Sequence, residues 1–222
     1  MYARLLATLC LLPVSTLFAQ ADSDVPTGAT LEVYVKGQEA STPDVLNAMS
    51  RELSVLMQPA GFRVVWRGAG DPPSTTGAEH LVMVDLRGVC TAQFSGMAST
   101  PLSSPMALAS SSVSDGKVLP FSWVDCTALN RFLAPVASGQ TPAGQDDLYG
   151  RSMARLLAHE FYHILAQTDN HAPAGIAKAR FSTADLLADH MDFETFALER
   201  LRPPATVASS AGSSDDASAG GR

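Results

Sequence analysis

Basic residues, cysteine and long apolar runs are all scarce in this chain of 222 residues, and each scarcity narrows what it can be. Lys and Arg number 15 against 22 Asp and Glu, for a formal charge of −7 at neutral pH, and no Lys/Arg-rich run concentrates them. No nucleic acid partner is expected, because phosphate binding needs a basic face. Outside the N-terminal end, no stretch approaches the roughly 18 uninterrupted apolar residues of a membrane-spanning helix. No stable membrane insertion is therefore expected of the processed chain, which reads as a soluble monomer. No internal repeat is apparent, which argues against a solenoid. Only three cysteines occur, and Cys10 lies in the N-terminal apolar run.

That run, Leu5 to Phe18 behind Arg4, is interrupted by Pro13 and followed by Ala19-Gln20-Ala21. A charged start, a short apolar middle and a small-x-small triplet read as a secretory signal peptide over residues 1–21, with a retained anchor over 5–18 as the alternative. Its removal takes Arg4 away, moves the formal charge from −7 to −8, and places the protein outside the cytoplasm, secreted or periplasmic. Cys90 and Cys126 are then an even pair in an oxidising compartment and are expected to form one disulfide. The loop closed stabilises by about 3 to 4 kcal/mol on the chain-entropy estimate; two buried free thiols are the competing reading. Residues 203–222, rich in Ala, Ser, Gly and Asp and without an aromatic side chain, read as a disordered tail. The folded unit is residues 22–202, enough for one domain.

Along that unit, Leu31 to Val35 alternates apolar and polar and reads as a strand. Thr42-Pro43-Asp44 is a helix start, and Val45, Met49, Leu53 and Leu56 continue it at helical spacing to about 58. Strands follow at 62–67 and 80–86, the second in the middle of a sheet. Residues 106–121 read as one or two strands or a hairpin turning at Ser114-Asp115-Gly116, a turn first and a substrate contact only second. A short helix is expected over 124–133, closed by Pro135. A long helix capped by Asp146 or Asp147 runs to about Gln167, and a last helix runs from Ser182 to Leu201 with Asp185 as capping-box partner.

The long helix carries His159-Glu160-Phe161-Tyr162-His163. Two histidines four apart share a helix face, so their ring nitrogens can converge on one metal ion. Glu160 lies at the edge of that face, where a carboxylate can take a proton from a metal-bound water. Chance would supply such a pattern roughly 0.004 times in a chain of this composition, so it counts as a signal. As an ordinary helix face it would bury two imidazoles and a carboxylate without partners, which is costly.

A catalytic zinc takes three protein ligands and keeps one position open. Five histidines exist: His80, His159, His163, His171 and His190. His80 reads as a surface residue ahead of a strand. His171, eight residues past His163 and just beyond the helix, is the first candidate for the third ligand. Asp169 is the second, with Asp189, His190 and Glu194 behind it. His190 and Glu194 would share a helix face, most simply a solvated one, and Asp185 and Asp189 read as acidic surface.

On these residues the chain resembles the zincin metallopeptidases, and its order of strand, helix, strand, strand, strand and motif helix is most like the metzincin branch. In that branch the motif extends to HExxHxxGxxH or HExxHxxGxxD; here Ala166 stands at the glycine position and Asp169 at the final one. The resemblance implies an α+β fold: a mixed twisted sheet with a helix after the first strand, an HExxH active-site helix and a C-terminal helix. It also implies one zinc per chain on His159 and His163, Glu160 as general base, and a peptide or protein substrate added along the 106–121 strand at the edge of the cleft. A second zincin branch takes its third ligand from a later Glu, for which Glu194 is the candidate. Met191 invites comparison with the methionine turn of metzincins, but it falls in a helical pattern and reads first as a packed or surface residue. Tyr162 and Tyr149 are the candidates for a donor to the oxyanion, neither preferred. The expected activity is that of a secreted or periplasmic zinc-dependent metallopeptidase. The alternative is a non-catalytic secreted zinc-binding or protein-interaction domain, whose structural metal would be closed by four protein ligands.

Overall fold

The computed structural model describes residues 28–72, 78–94, 107–137 and 139–203. The signal-peptide reading, most of the polar segment after Cys90 and the tail beyond Pro203 lie outside the described residues.

Apolar residues at every second position dictate which face of each strand is buried. In β3 (His80–Arg87), Val82, Val84 and Leu86 are buried, whereas Leu81 is 43% exposed. Val33 and Val35 of β1 (Ala29–Lys36) lie opposite Val82 and Val84 and extend the same buried face. With β2 (Phe62–Gly68), β4 (Ala109–Ser114) and β5 (Lys117–Asp125), these strands form a five-stranded sheet in the order β2-β1-β3-β5-β4. Pairing is parallel except between β4 and β5, so the expected mixed sheet is present, with β3 at its centre. The β4/β5 hairpin turns within the expected segment, at Asp115 and Gly116, whose φ values of 50° and 73° are those of a two-residue turn, while Ser114 still pairs with Lys117.

Helix α1 (Pro43–Met57) starts as expected: the Thr42 hydroxyl accepts from the Val45 amide and Pro43 occupies the first turn. The same Thr-Pro signature starts the long helix, α3 (Pro142–Leu165). Thr141 caps it, not Asp146 or Asp147, and residues 142–144, expected as loop, are its first turn. The two helices lie closely together on the buried sheet face. At the contact is Gly150, where an added Cβ would lie 2.7 Å from the Ala48 methyl carbon.

Two further expectations need correction. Val124 belongs to β5, and α2 (Cys126–Ala137) starts behind Asp125, whose carboxylate accepts from the Ala128 amide. Pro135 lies inside α2, where so near the C-terminus it removes only one helical hydrogen bond. The single C-terminal helix is instead two short ones, α4 (Thr183–Leu187) and α5 (Thr195–Leu201). Carbonyls that a continuous helix would use are taken by side chains of α3: Arg155 Nη1 donates to those of Asp185 and Leu186, both at 2.9 Å, and Arg151 Nη2 to that of Ala188 at 2.7 Å. The Ser182/Asp185 capping box is present.

Cys90, just past β3, and Cys126, at the start of α2, form the expected disulfide. No helix among the described residues is long and apolar enough to cross a membrane.

Candidate metal centre

His159 and His163 project from one face of α3, and their Nε2 atoms lie 3.0 Å apart. Each ring is held from behind by a backbone carbonyl: His159 Nδ1 is 2.8 Å from Ile176 O, and His163 Nδ1 is 2.7 Å from Thr168 O. A carbonyl only accepts, so each Nδ1 carries a proton, and in the neutral ring each Nε2 then presents a lone pair. Two lone pairs facing each other at this distance repel unless a cation joins them. The donor set therefore fits a metal ion, with the carbonyls in the orienting role that such sites use.

His171 completes the group. Its ring stacks on that of His159 at 5.3 Å and lies 4.8 Å from that of His163. One ligand atom from each of the three histidines lies within 4.8 Å of the other two, so the triad can hold a metal ion. Burial pushes the His159 imidazole down to about 4; its bond to Ile176 opposes this, and His163 and His171 add to it. His171 is lowered as well, by burial first and then by His163, with Asp169 opposing. Neutral imidazoles are the form a metal requires.

The chain turns back to deliver His171 in a manner the sequence disguises. Ala166 remains helical, and the left-handed residue is the next one, Gln167, at φ 47°. Its side-chain Nε2 donates to the carbonyls of Ile164 at 2.7 Å and Val118 at 2.8 Å, tying the helix end to β5. Alanine at the glycine position is thus no obstacle to a sharp turn. From there the chain folds back through Ala172 and Ile176, and the Ile176 amide donates to Asp192 O at 3.0 Å. Phe181 meets the His159 ring edge-on at 5.4 Å.

Glu160 is buried between α3 and the edge strand β4, where its Oε2 accepts from Ser111 Oγ at 2.7 Å. Burial raises its carboxyl above the usual range, and the hydrogen bonds from Ser111 oppose that shift.

The remaining candidates lie elsewhere. Asp169 is exposed and outside the histidine group, as are Asp189, His190 and Glu194. No helix places His190 and Glu194 on a shared face, because residues 188–194 are irregular. Met191 sits half-buried against the core within that irregular segment and not in a helix, contrary to expectation. Tyr149 is structural: its hydroxyl donates to Cys126 O at 2.8 Å and accepts from Asn130. Tyr162 is fully buried against Phe193 and the His163 ring. His80 packs edge-on against Phe62 at 5.2 Å, so it is half-buried and not a surface residue. Asp185 caps α4 and pairs with Lys178.

Sequence reasoning missed Ser111, Gln167 and the two carbonyls. Backbone acceptors have no sequence signature; only the serine run 110–112, on a strand expected beside the cleft, offered a signal. Compared with known protein families, curated proteins and solved structures, the chain matches none.

Proposed function

We propose that the chain is a zinc-dependent metallopeptidase of the zincin type, secreted or periplasmic, that hydrolyses bonds in a peptide or protein substrate. The convergence of two proton-free Nε2 atoms on one point, beside a buried glutamate, carries this reading. The element order and the antiparallel edge strand next to Glu160 support it. Three imidazoles suit zinc. His159, His163 and His171 would hold it, one ion per chain.

A zinc ion supplies Lewis acidity: it brings the pKa of a coordinated water to about 7 and polarises a carbonyl. Glu160, raised by burial, takes the proton of the attacking water and returns it to the leaving amine. β4 is an edge strand of the sheet, to which an extended peptide could add. The group contains three ligands among the described residues, not the four of a closed structural site, which favours catalysis over a purely structural metal.

The test measures zinc per chain and cleavage of a peptide library for the wild type, Glu160→Ala and His171→Ala. One zinc that survives Glu160→Ala and is lost in His171→Ala, with cleavage reduced about 100-fold or more in Glu160→Ala, is the expected result. A zinc-replete wild type that holds no metal would overturn the reading, and zinc without cleavage would turn it into the non-catalytic alternative.

A further inference from the structure

Ser111 has no place in the sequence-based reading, yet it reaches the one carboxylate the chemistry needs. It lies on β4 opposite Ser122, a buried residue, and so on the sheet face that α3 covers. Pairing of β4 with β5 is interrupted immediately past it and resumes at Val113: between Ser111 and Val113 the register shifts, and Leu119, Pro120 and Phe121 of β5 stand against Ser112 alone. Such irregularities at sheet edges re-aim side chains, and proline is confined to places like this. The Ser111 hydroxyl has two acceptors within reach, Glu160 Oε2 at 2.7 Å and Glu160 O at 3.2 Å. Its single proton serves the carboxylate, the shorter and charge-assisted partner.

Building on the metallopeptidase reading, we infer that Ser111 is a positioning residue for Glu160: its hydroxyl holds Oε2 and so fixes the orientation of the carboxylate towards the attacking water. A buried carboxylate on a stem of two methylene groups otherwise samples several rotamers, and a misplacement of about 1 Å can reduce a rate up to about 100-fold. Because substrate binding and metal binding do not use this bond, its loss should fall on turnover.

The test compares zinc-loaded wild type with Ser111→Ala, Ser111→Thr, Glu160→Ala and the double variant Ser111→Ala/Glu160→Ala. Three readouts are zinc content, kcat and KM on a cleaved peptide, and affinity for acetohydroxamic acid, a metal chelator that also hydrogen-bonds to a neighbouring carboxylate. Expected for Ser111→Ala are unchanged zinc, unchanged KM, kcat lower by about 10-fold or more, and weaker hydroxamate binding. Ser111→Thr, which keeps the hydroxyl on a strand-compatible side chain, restores both, and the double variant binds hydroxamate no more weakly than Glu160→Ala. Wild-type kcat and hydroxamate affinity in Ser111→Ala, a change in KM alone, or a threonine variant as impaired as alanine would overturn the inference while leaving the metallopeptidase reading intact. If the wild type binds zinc and hydroxamate but cleaves nothing, the peptidase reading falls, and the hydroxamate series alone decides the role of Ser111. A wild type without metal overturns both.

Discussion

His159 is a group whose protonation the fold opposes, so it makes stability depend on pH. Its folded value of about 4 lies below the ordinary 6.5, and between these the unfolded chain binds a proton that the folded chain does not. Its contribution is complete above 6.5 and is lost as pH falls towards 4. Glu160 works the other way: its carboxyl is raised above the ordinary 4.5, so its contribution is present below that value and is lost as pH rises through the folded one. The difference between metal-free wild type and His159→Gln isolates the histidine. The urea midpoint of the wild type should fall relative to the variant as pH is lowered from 6.5 to 4; parallel midpoints would show that His159 is not held neutral. A metal ion held by the triad would be lost on acidification through the same competition. At this scale the sequence was legible wherever spacing along one helix sufficed. His159, Glu160 and His163 followed from helical periodicity, and His171 from its place just beyond the helix end. Ser111 was not legible, because it meets Glu160 across a sequence separation of 49 residues.

Elements succeed or fail according to what packs against them. Arg155 is fully buried, pairs with Glu52 at 2.8 Å and donates to two carbonyls of the segment that α4 occupies. Arg155→Met should destabilise by about 3 kcal/mol, because the Asp185 carbonyl loses its arginine donor while Glu52 and the Leu186 carbonyl keep only longer contacts to Arg151 and Ser152. Urea unfolding reads the magnitude, and faster hydrogen exchange confined to 183–189 reads the location. Gly150→Ala places a methyl group against the Val45 carbonyl oxygen and the Ala48 methyl where α1 and α3 touch, and because backbone must move, overpacking there should cost about 3 kcal/mol or more; an unchanged urea midpoint would show that the helices can separate freely. The helix starts illustrate what local signals can do. Thr42-Pro43 and Thr141-Pro142 obey one rule, although the acidic pair Asp146 and Asp147 offers a competing cap signal at the second. The C-terminal helix was a sound periodic pattern from Ser182 to Leu201, broken by arginines 30 or more residues away that no local window contains.

For the whole molecule, the Cys90–Cys126 bridge closes a loop with a separation of 36 residues, for which chain entropy gives about 4 kcal/mol. Reduction should therefore lower Tm markedly in a domain of this size, and an unchanged Tm with both thiols free would refute the contribution. Zinc should raise Tm and a chelator lower it, by an amount that grows with free metal concentration. Periodicity and pairwise chemistry along the chain already encode the mixed α+β class, the succession of strands, the α3 motif, and a cysteine pair suited to one bond. Tertiary structure alone decided the sheet order, the carbonyls that fix both histidine tautomers, the reversal at Gln167, the broken C-terminal helix and the approach of Ser111 to Glu160. Each of these depends on contacts between segments distant in the chain, whose geometry is set by packing in three dimensions and leaves no trace in local spacing.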